Sequence, residues 1–309
     1  MRVYHIFWLL ILLFEPGCKE HDKVIHSEDG TKVINGSDVY YKITGSGPPM
    51  IVIHGGPVLD HSYFLPHFNT LSNNHQLIFY DQRACGKSSV DIDTSSMSVA
   101  GFVDDIEQLR KKLNLEKIDL LGHSWGGLLA MYYAIQYPQN LNHLILSNSI
   151  PASTEGWQAE EQQLASRITK EDSLTRIEIM NSDEMKNRSA SAIKKLMMLS
   201  FKTQFHNKNL LDSLRVYIPE DFMARSAKFR YLGKDLASFD LYDDLRKVSV
   251  PTLIIYGEEE PAATLSGKAL EEAIPHAKLA IIPRSGHFPF VEQPELYFST
   301  IEQFVKKQN

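Results

Sequence analysis

The chain has 309 residues, 43% of them hydrophobic and 23% charged, with a formal net charge of −6. That length buries about three quarters of the unfolded surface in one large domain, or in one domain carrying an insertion. The negative balance and the lack of a dense Lys/Arg cluster exclude a nucleic-acid-binding face, and the ordinary composition excludes low-complexity and fibrous classes.

At the start, Arg2 precedes an apolar run over residues 6–14, and Gly17 stands just before Cys18. A bilayer crossing takes about 20 apolar residues, so this run is too short to span one. A positive start, a short apolar stretch and a small exit residue read as an export signal over residues 1–18. Gly17-Cys18 is similar to the cleavage site of bacterial lipoproteins, although Glu15 and Pro16 replace its apolar and small positions. The similarity implies an exported protein, periplasmic or anchored to a membrane through a lipidated Cys18. Cys18 and Cys85 are the only cysteines. Lipidation of the first would leave Cys85 a free thiol with no intramolecular disulfide. No Cys/His cluster has zinc spacing, so neither a metal nor another cofactor is expected.

Two strand-like runs, 23–34 and 39–44, flank the turn residues Asn35-Gly36-Ser37 and predict a hairpin. Short, nearly continuous apolar runs follow at 50–54, 77–80, 118–121, 144–146, 252–256 and 279–282. Such runs suit strands covered on both faces by helices. Between them, residues 99–113, 125–137, 262–273 and 295–306 have helical spacing. Strands alternating with helices of this length predict an α/β fold with a mostly parallel sheet and right-handed crossovers. One stretch breaks the alternation. Residues 151–248 are charged and helix-prone without a convincing strand, and predict a helical cap inserted into a core formed by 19–150 and 249–309. Ligands of open α/β sheets bind beyond the carboxyl ends of the strands, where such a cap would sit.

The run at 118–121 leads into Gly122-His123-Ser124-Trp125-Gly126 and then a helix. A G-x-S-x-G in that context is a nucleophile elbow, in which glycines relieve a crowded turn and Ser124 stands exposed at a helix N-terminus. A serine hydroxyl needs a base, and His287 follows the last predicted strand in Pro283-Arg284-Ser285-Gly286-His287. The acid that orients the base should follow the preceding strand, where Gly257-Glu258-Glu259-Glu260 offers three adjacent carboxylates. Glu260 fits the strand-Gly-x-x-acid spacing best, and the order Ser124, Glu260, His287 is the one this elbow uses. An oxyanion needs backbone donors. One is the N–H of Trp125. The other comes from His54-Gly55-Gly56-Pro57, where Pro57 has no N–H and Gly55 or Gly56 must donate. Gly56 is favoured because its missing side chain admits a carbonyl closely.

Three segments together resemble proline iminopeptidases of the α/β-hydrolase superfamily. They are His54-Gly55-Gly56-Pro57, Asp81-Gln82-Arg83-Ala84-Cys85-Gly86-Lys87-Ser88 and Gly122-His123-Ser124-Trp125-Gly126. They are similar to that family's H-G-G-P-G, D-Q-R-G-x-G-x-S and G-x-S-W-G signatures. The resemblance runs from about residue 23 to the C-terminus. It implies the α/β-hydrolase fold and a metal-independent serine aminopeptidase that acts on small peptides, preferably at an N-terminal proline. It also implies a cap carboxylate for the substrate amine, with Glu160, Glu161, Glu220 and Asp221 on offer. Asp81 and Arg83 are expected to brace loops. Val58, Ala84 and His123 depart from the family pattern beside the site, and His123 is the commoner choice in general esterases. A carboxylesterase or other small-molecule hydrolase on the same scaffold is therefore the alternative. A binding protein with an inert triad is the reading from another class.

Overall fold

The computed structural model describes residues 27–264 and 266–308. The export-signal reading, including Cys18, lies outside the described residues. Eight strands form one sheet: β1 (Ser27–Ile34), β2 (Ser37–Thr44), β3 (Pro49–Ile53), β4 (Gln76–Tyr80), β5 (Ile118–His123), β6 (Leu141–Ser147), β7 (Thr252–Gly257) and β8 (Lys278–Ile282). Their spatial order is β1-β2-β4-β3-β5-β6-β7-β8. Only β2 runs antiparallel to its neighbours, and every pair from β4 through β8 is parallel. The β1–β2 turn rests on Asn35 (φ 49°) and Gly36 (φ 80°), a positive-φ pair suited to a tight hairpin.

Helices α1 (Val99–Lys112) and α2 (Trp125–Gln136) precede the insertion. The insertion carries α3 (Thr154–Ser166), α4 (Lys170–Asn181), α5 (Asp183–Lys186), α6 (Ala190–Lys202), α7 (Phe222–Lys228), α8 (Gly233–Leu236) and α9 (Tyr242–Leu245). After β7 come α10 (Pro261–Thr264) and α11 (Ser266–Ala273), and after β8 come α12 (Pro289–Glu292) and α13 (Pro294–Gln308).

The continuous apolar strands feed two cores by strict alternation. Ile51, Ile53, Ile78, Tyr80, Leu120, Leu144, Leu146, Ile254 and Tyr256 face the side covered by α1 and α2. Met50, Val52, Leu77, Phe79, Leu121, Ile145, Leu253 and Ile255 face the side covered by α13. A period of two with both phases apolar is what a doubly covered sheet requires. The insertion closes at its base through an antiparallel bridge between Ser153 and Asp240. Thr154 N–H also donates to Phe239 O (2.9 Å) and Leu241 N–H to Ala152 O (2.9 Å). Further in, Arg225 donates to Ser88 O (2.8 Å) and Asp235 accepts from Val99 N–H (2.7 Å), so the insertion is fastened to the core at several points.

The loop after β4 is held by a buried ion pair. Arg83 meets Asp105 of α1 through two bonds, Nε to Oδ2 (2.7 Å) and Nη2 to Oδ1 (2.6 Å). Its remaining N–H groups reach Ser96 Oγ (2.9 Å) and Gly101 O (2.8 Å), and the guanidinium lies over the Phe102 ring. Burial alone would raise the Asp105 carboxyl, and Arg83 offsets part of that rise. Arg83→Leu leaves Asp105 buried without a cation, holding only the Asn35 amide (2.8 Å), which costs about 3 kcal/mol. Urea unfolding of the variant checks it, and a loss below about 1 kcal/mol would show that water reaches the site.

Candidate active site

Ser124 sits between β5 and α2 with φ 58° and ψ −123°, a backbone state that a side chain adopts only under constraint. The constraint is the close approach of α2 to the sheet. A Cβ on Gly126 would lie 2.4 Å from Ile53 O, so only glycine lets the helix start there. The Ser124 N–H donates to Ser147 O (3.1 Å), which fixes the turn to β6.

The loop after β8 brings His287 to the same place. Ser124, His287, Gly55, Gly56, Leu59, Tyr63, His123, Phe201, Gln204 and Phe288 line one cavity of about 160 Å³. Nδ1 of His287 lies 2.9 Å from Oε2 of Glu260, and its Nε2 has no hydrogen-bond partner among the described residues. The three adjacent glutamates divide clearly. Glu258 accepts the Arg284 N–H (3.0 Å), Glu259 is exposed and pairs with His206, and Glu260 is buried behind the imidazole. Burial pushes the Glu260 carboxyl upward, but the His287 ring and hydrogen bonds from His287, Glu160 and Asn148 outweigh it and hold the group below its ordinary value. Ser124 and His287 thus line one cavity, with Glu260 bonded to the imidazole at Nδ1.

On the oxyanion side, Trp125 is the first residue of α2, where the backbone N–H has no intrahelical acceptor. The Gly55 N–H donates to Tyr63 Oη (2.7 Å). Gly56, at φ 136°, keeps its N–H without a partner among the described residues, and a Cβ there would lie 2.5 Å from Val58 N.

Several residues around the site hold its loops in place. Tyr63 passes its own proton to His123 Nδ1 (2.9 Å), and His123 Nε2–H donates to His287 O (2.9 Å). Burial, then the neighbouring His287, lowers His123 to about 3, so it stays neutral in this chain of bonds. His54 Nε2 accepts the Gln82 N–H (3.0 Å), while the Gln82 side chain donates to His54 O (2.6 Å) and accepts from Trp125 Nε1 (2.9 Å). The three motif segments are thus bonded to one another. Asn148, at the end of β6 with φ 42°, donates to Glu260 Oε2 (3.0 Å) and Gly286 O (3.1 Å). Sequence reasoning missed Tyr63 and Asn148. An asparagine at a strand's carboxyl end, tolerant of positive φ, was the available signal for Asn148.

Asp60, His61 and Asp81 bring ligand-type atoms within 4.8 Å of one another. Their valences are spent on structure, since Asp81 accepts from His61 Nδ1 (2.6 Å) and from Lys87 N–H (2.8 Å). Cys85 is a buried free thiol whose Sγ donates to Pro57 O (3.0 Å). Of the four cap acids on offer for a substrate amine, none lines the cavity. Glu160 is buried against Glu260, Glu161 and Glu220 point to solvent, and Asp221 pairs with Arg225. Gln204 is the one polar cap side chain in the lining.

A family model described as the alpha/beta hydrolase fold matches residues 48–294. The proline iminopeptidase of Saccharolobus solfataricus is 28% identical, over 91% of this chain and 93% of its own. That of Lactiplantibacillus plantarum is 27% identical, over 88% and 98%. The crystal structure of the Mycobacterium smegmatis proline iminopeptidase superposes with a TM-score of 0.67 at 22% identity, covering 91% of this chain and 98% of that one.

The strain at Ser124 has a measurable side. Ser124→Gly removes both the hydroxyl and the conflict at φ 58°, and is expected to be about 1 kcal/mol more stable than Ser124→Ala. Chemical denaturation of the two variants compares them directly, and equal stability would mean the turn stores no strain.

Proposed function

The chain belongs to the α/β-hydrolase fold family, and within it we propose a serine aminopeptidase that releases an N-terminal proline or a related residue from small peptides. The observation that carries the chemistry is the 2.9 Å contact of His287 Nδ1 with Glu260, which leaves Nε2 free in the cavity that Ser124 lines. In this reading Ser124 Oγ attacks the scissile carbonyl and His287 Nε2 takes its proton. Glu260 holds the Nδ1–H and stabilises the imidazolium. The N–H groups of Trp125 and Gly56 receive the oxyanion, where loss of one donor lowers rate about 10²- to 10³-fold. His287 then protonates the leaving amine, and water releases the acyl group by the reverse steps. The peptidase assignment is supported by relatives named proline iminopeptidase over nearly the whole chain.

One observation favours a second reading, a carboxylesterase. Among the described residues no carboxylate lines the cavity to receive an ammonium group, and its walls include Leu59, Phe201 and Phe288. A neutral acyl group suits such walls without any cap acid.

Hydrolysis of proline p-nitroanilide and of p-nitrophenyl acetate separates the two, with Ser124→Ala as the blank. The aminopeptidase reading expects serine-dependent cleavage of the anilide that disappears when the proline nitrogen is acylated. Ester cleavage alone would leave the acyl-transfer machinery and remove the peptidase. For residues 1–18 we propose export with lipidation of Cys18. Mass spectrometry of the mature N-terminus is expected to find an acylated Cys18, and an unmodified Met1 would overturn that proposal.

A further inference from the structure

Glu160 projects from α3 of the insertion toward the rear of the site and is only 8% exposed. Its carboxyl lies within hydrogen-bonding reach of Glu260. Oε2 of Glu160 and Oε1 of Glu260 are nevertheless both buried with no conventional donor. Two ionised carboxylates do not share a dry site, so one of the pair must carry a proton. Glu260 is the better anion, because Oε2 receives the His287 Nδ1–H and the Asn148 amide. Glu160 has no cation and no backbone donor among the described residues. The proton therefore belongs on Glu160.

We propose that Glu160 is a positioning residue of the acid–base pair: as a neutral acid it donates its proton to Oε1 of Glu260 and fixes that carboxylate against His287. This rests on the reading of Glu260 as the acid that orients His287. A glutamate there has one more rotatable bond than an aspartate and needs a second anchor to hold one direction. Glu160 supplies it from the cap, so the insertion completes the acid even though it contributes no group to the reacting atoms. The other titratable groups facing this pair are His287 on the far side of Glu260, neutral His123 from β5, exposed Glu161 on α3, and Tyr256 from β7. Tyr256 spends its hydroxyl proton on Ser149 O (2.8 Å) and is not a donor to either glutamate. Burial first, then the negative charge of Glu260, pushes Glu160 upward, in the direction that keeps its proton at neutral pH.

The test has a spectroscopic arm and a kinetic arm. Near pH 8, well above the ordinary glutamate value of about 4.3, the infrared spectrum of the full chain should contain the C=O stretch of a protonated carboxyl. Glu160→Gln should lack it. Glu160→Met keeps the volume but offers no donor, and should lower kcat for p-nitrophenyl acetate about tenfold at unchanged KM. E160Q restores a donor and should recover to within about threefold of the native kcat. At the alkaline end the native kcat should fall as Glu160 loses its proton, while E160Q, which has none to lose, keeps its plateau. A merely structural side chain would not produce that difference. A band that survives in E160Q, or a native kcat in E160M, would overturn the proposal. If E160M does not fold, the comparison of native protein with E160Q still decides it. Glu260→Gln with undiminished kcat would instead strike the reading of Glu260, and the infrared arm is independent of which substrate the enzyme takes.

Discussion

Helix α2 comes as near to strands β3 and β5 as a backbone can, and the limit is set where a side chain at Gly126 would strike Ile53 O. Moving the helix outward by the width of one methyl group would relax Ser124 to an ordinary conformation. It would also break the Ser124 bond to Ser147 O. The strained φ and that bond are therefore two results of one packing distance. The sheet supports that distance from below with an apolar core on each face, so the turn cannot relax without opening both.

Around this fixed point the loops are connected by polar side chains. Gln82 joins His54 to the Trp125 indole, and Tyr63 joins Gly55 to His123 and so to the loop of His287. Each bond is buried or partly buried, where an unmade partner is expensive, so the network defines loop positions more sharply than apolar packing alone would. This explains why Gln82 and His123 sit inside conspicuous motifs. Both residues act by holding backbone groups of other motifs. Asn148 does the same for the acid and base loops, pinning Glu260 and Gly286 O with one amide group.

Much of this was legible in the chain. Alternating strands and helices, the elbow at Ser124 and the late His287 follow from local patterns, because each depends on residues a few positions apart. The helix expected over 262–273 is found as α10 and α11, and the other three start and stop within one or two residues of the expected limits. The strand-Gly-x-x-acid spacing favoured Glu260 over Glu258 and Glu259, but what turns it inward lies outside that local pattern. That is decided by β7 ending at Gly257 and by Arg284 and His206, which claim the first two. Tyr63 was invisible for a similar reason, since its partners come from β3 and β5. Glu160 was read as one of four cap acids on offer for a substrate amine. Its burial depends on how α3 settles on the loop after β7, which no periodicity in residues 151–248 encodes.

The backbone N–H of His287 donates to the carbonyl of Gln204 (2.8 Å), at the end of the segment that follows α6. A cap borrowed from another hydrolase would have to present a carbonyl at that same point, or leave a buried amide orphaned beside the imidazole. Grafting caps between scaffolds of this kind is thus constrained by a single main-chain register as well as by pocket shape. Chimeras that keep residues 203–205 together with the loop 283–288 as one transferable unit should retain an ordered base, whereas a join placed between them divides what behaves as one piece.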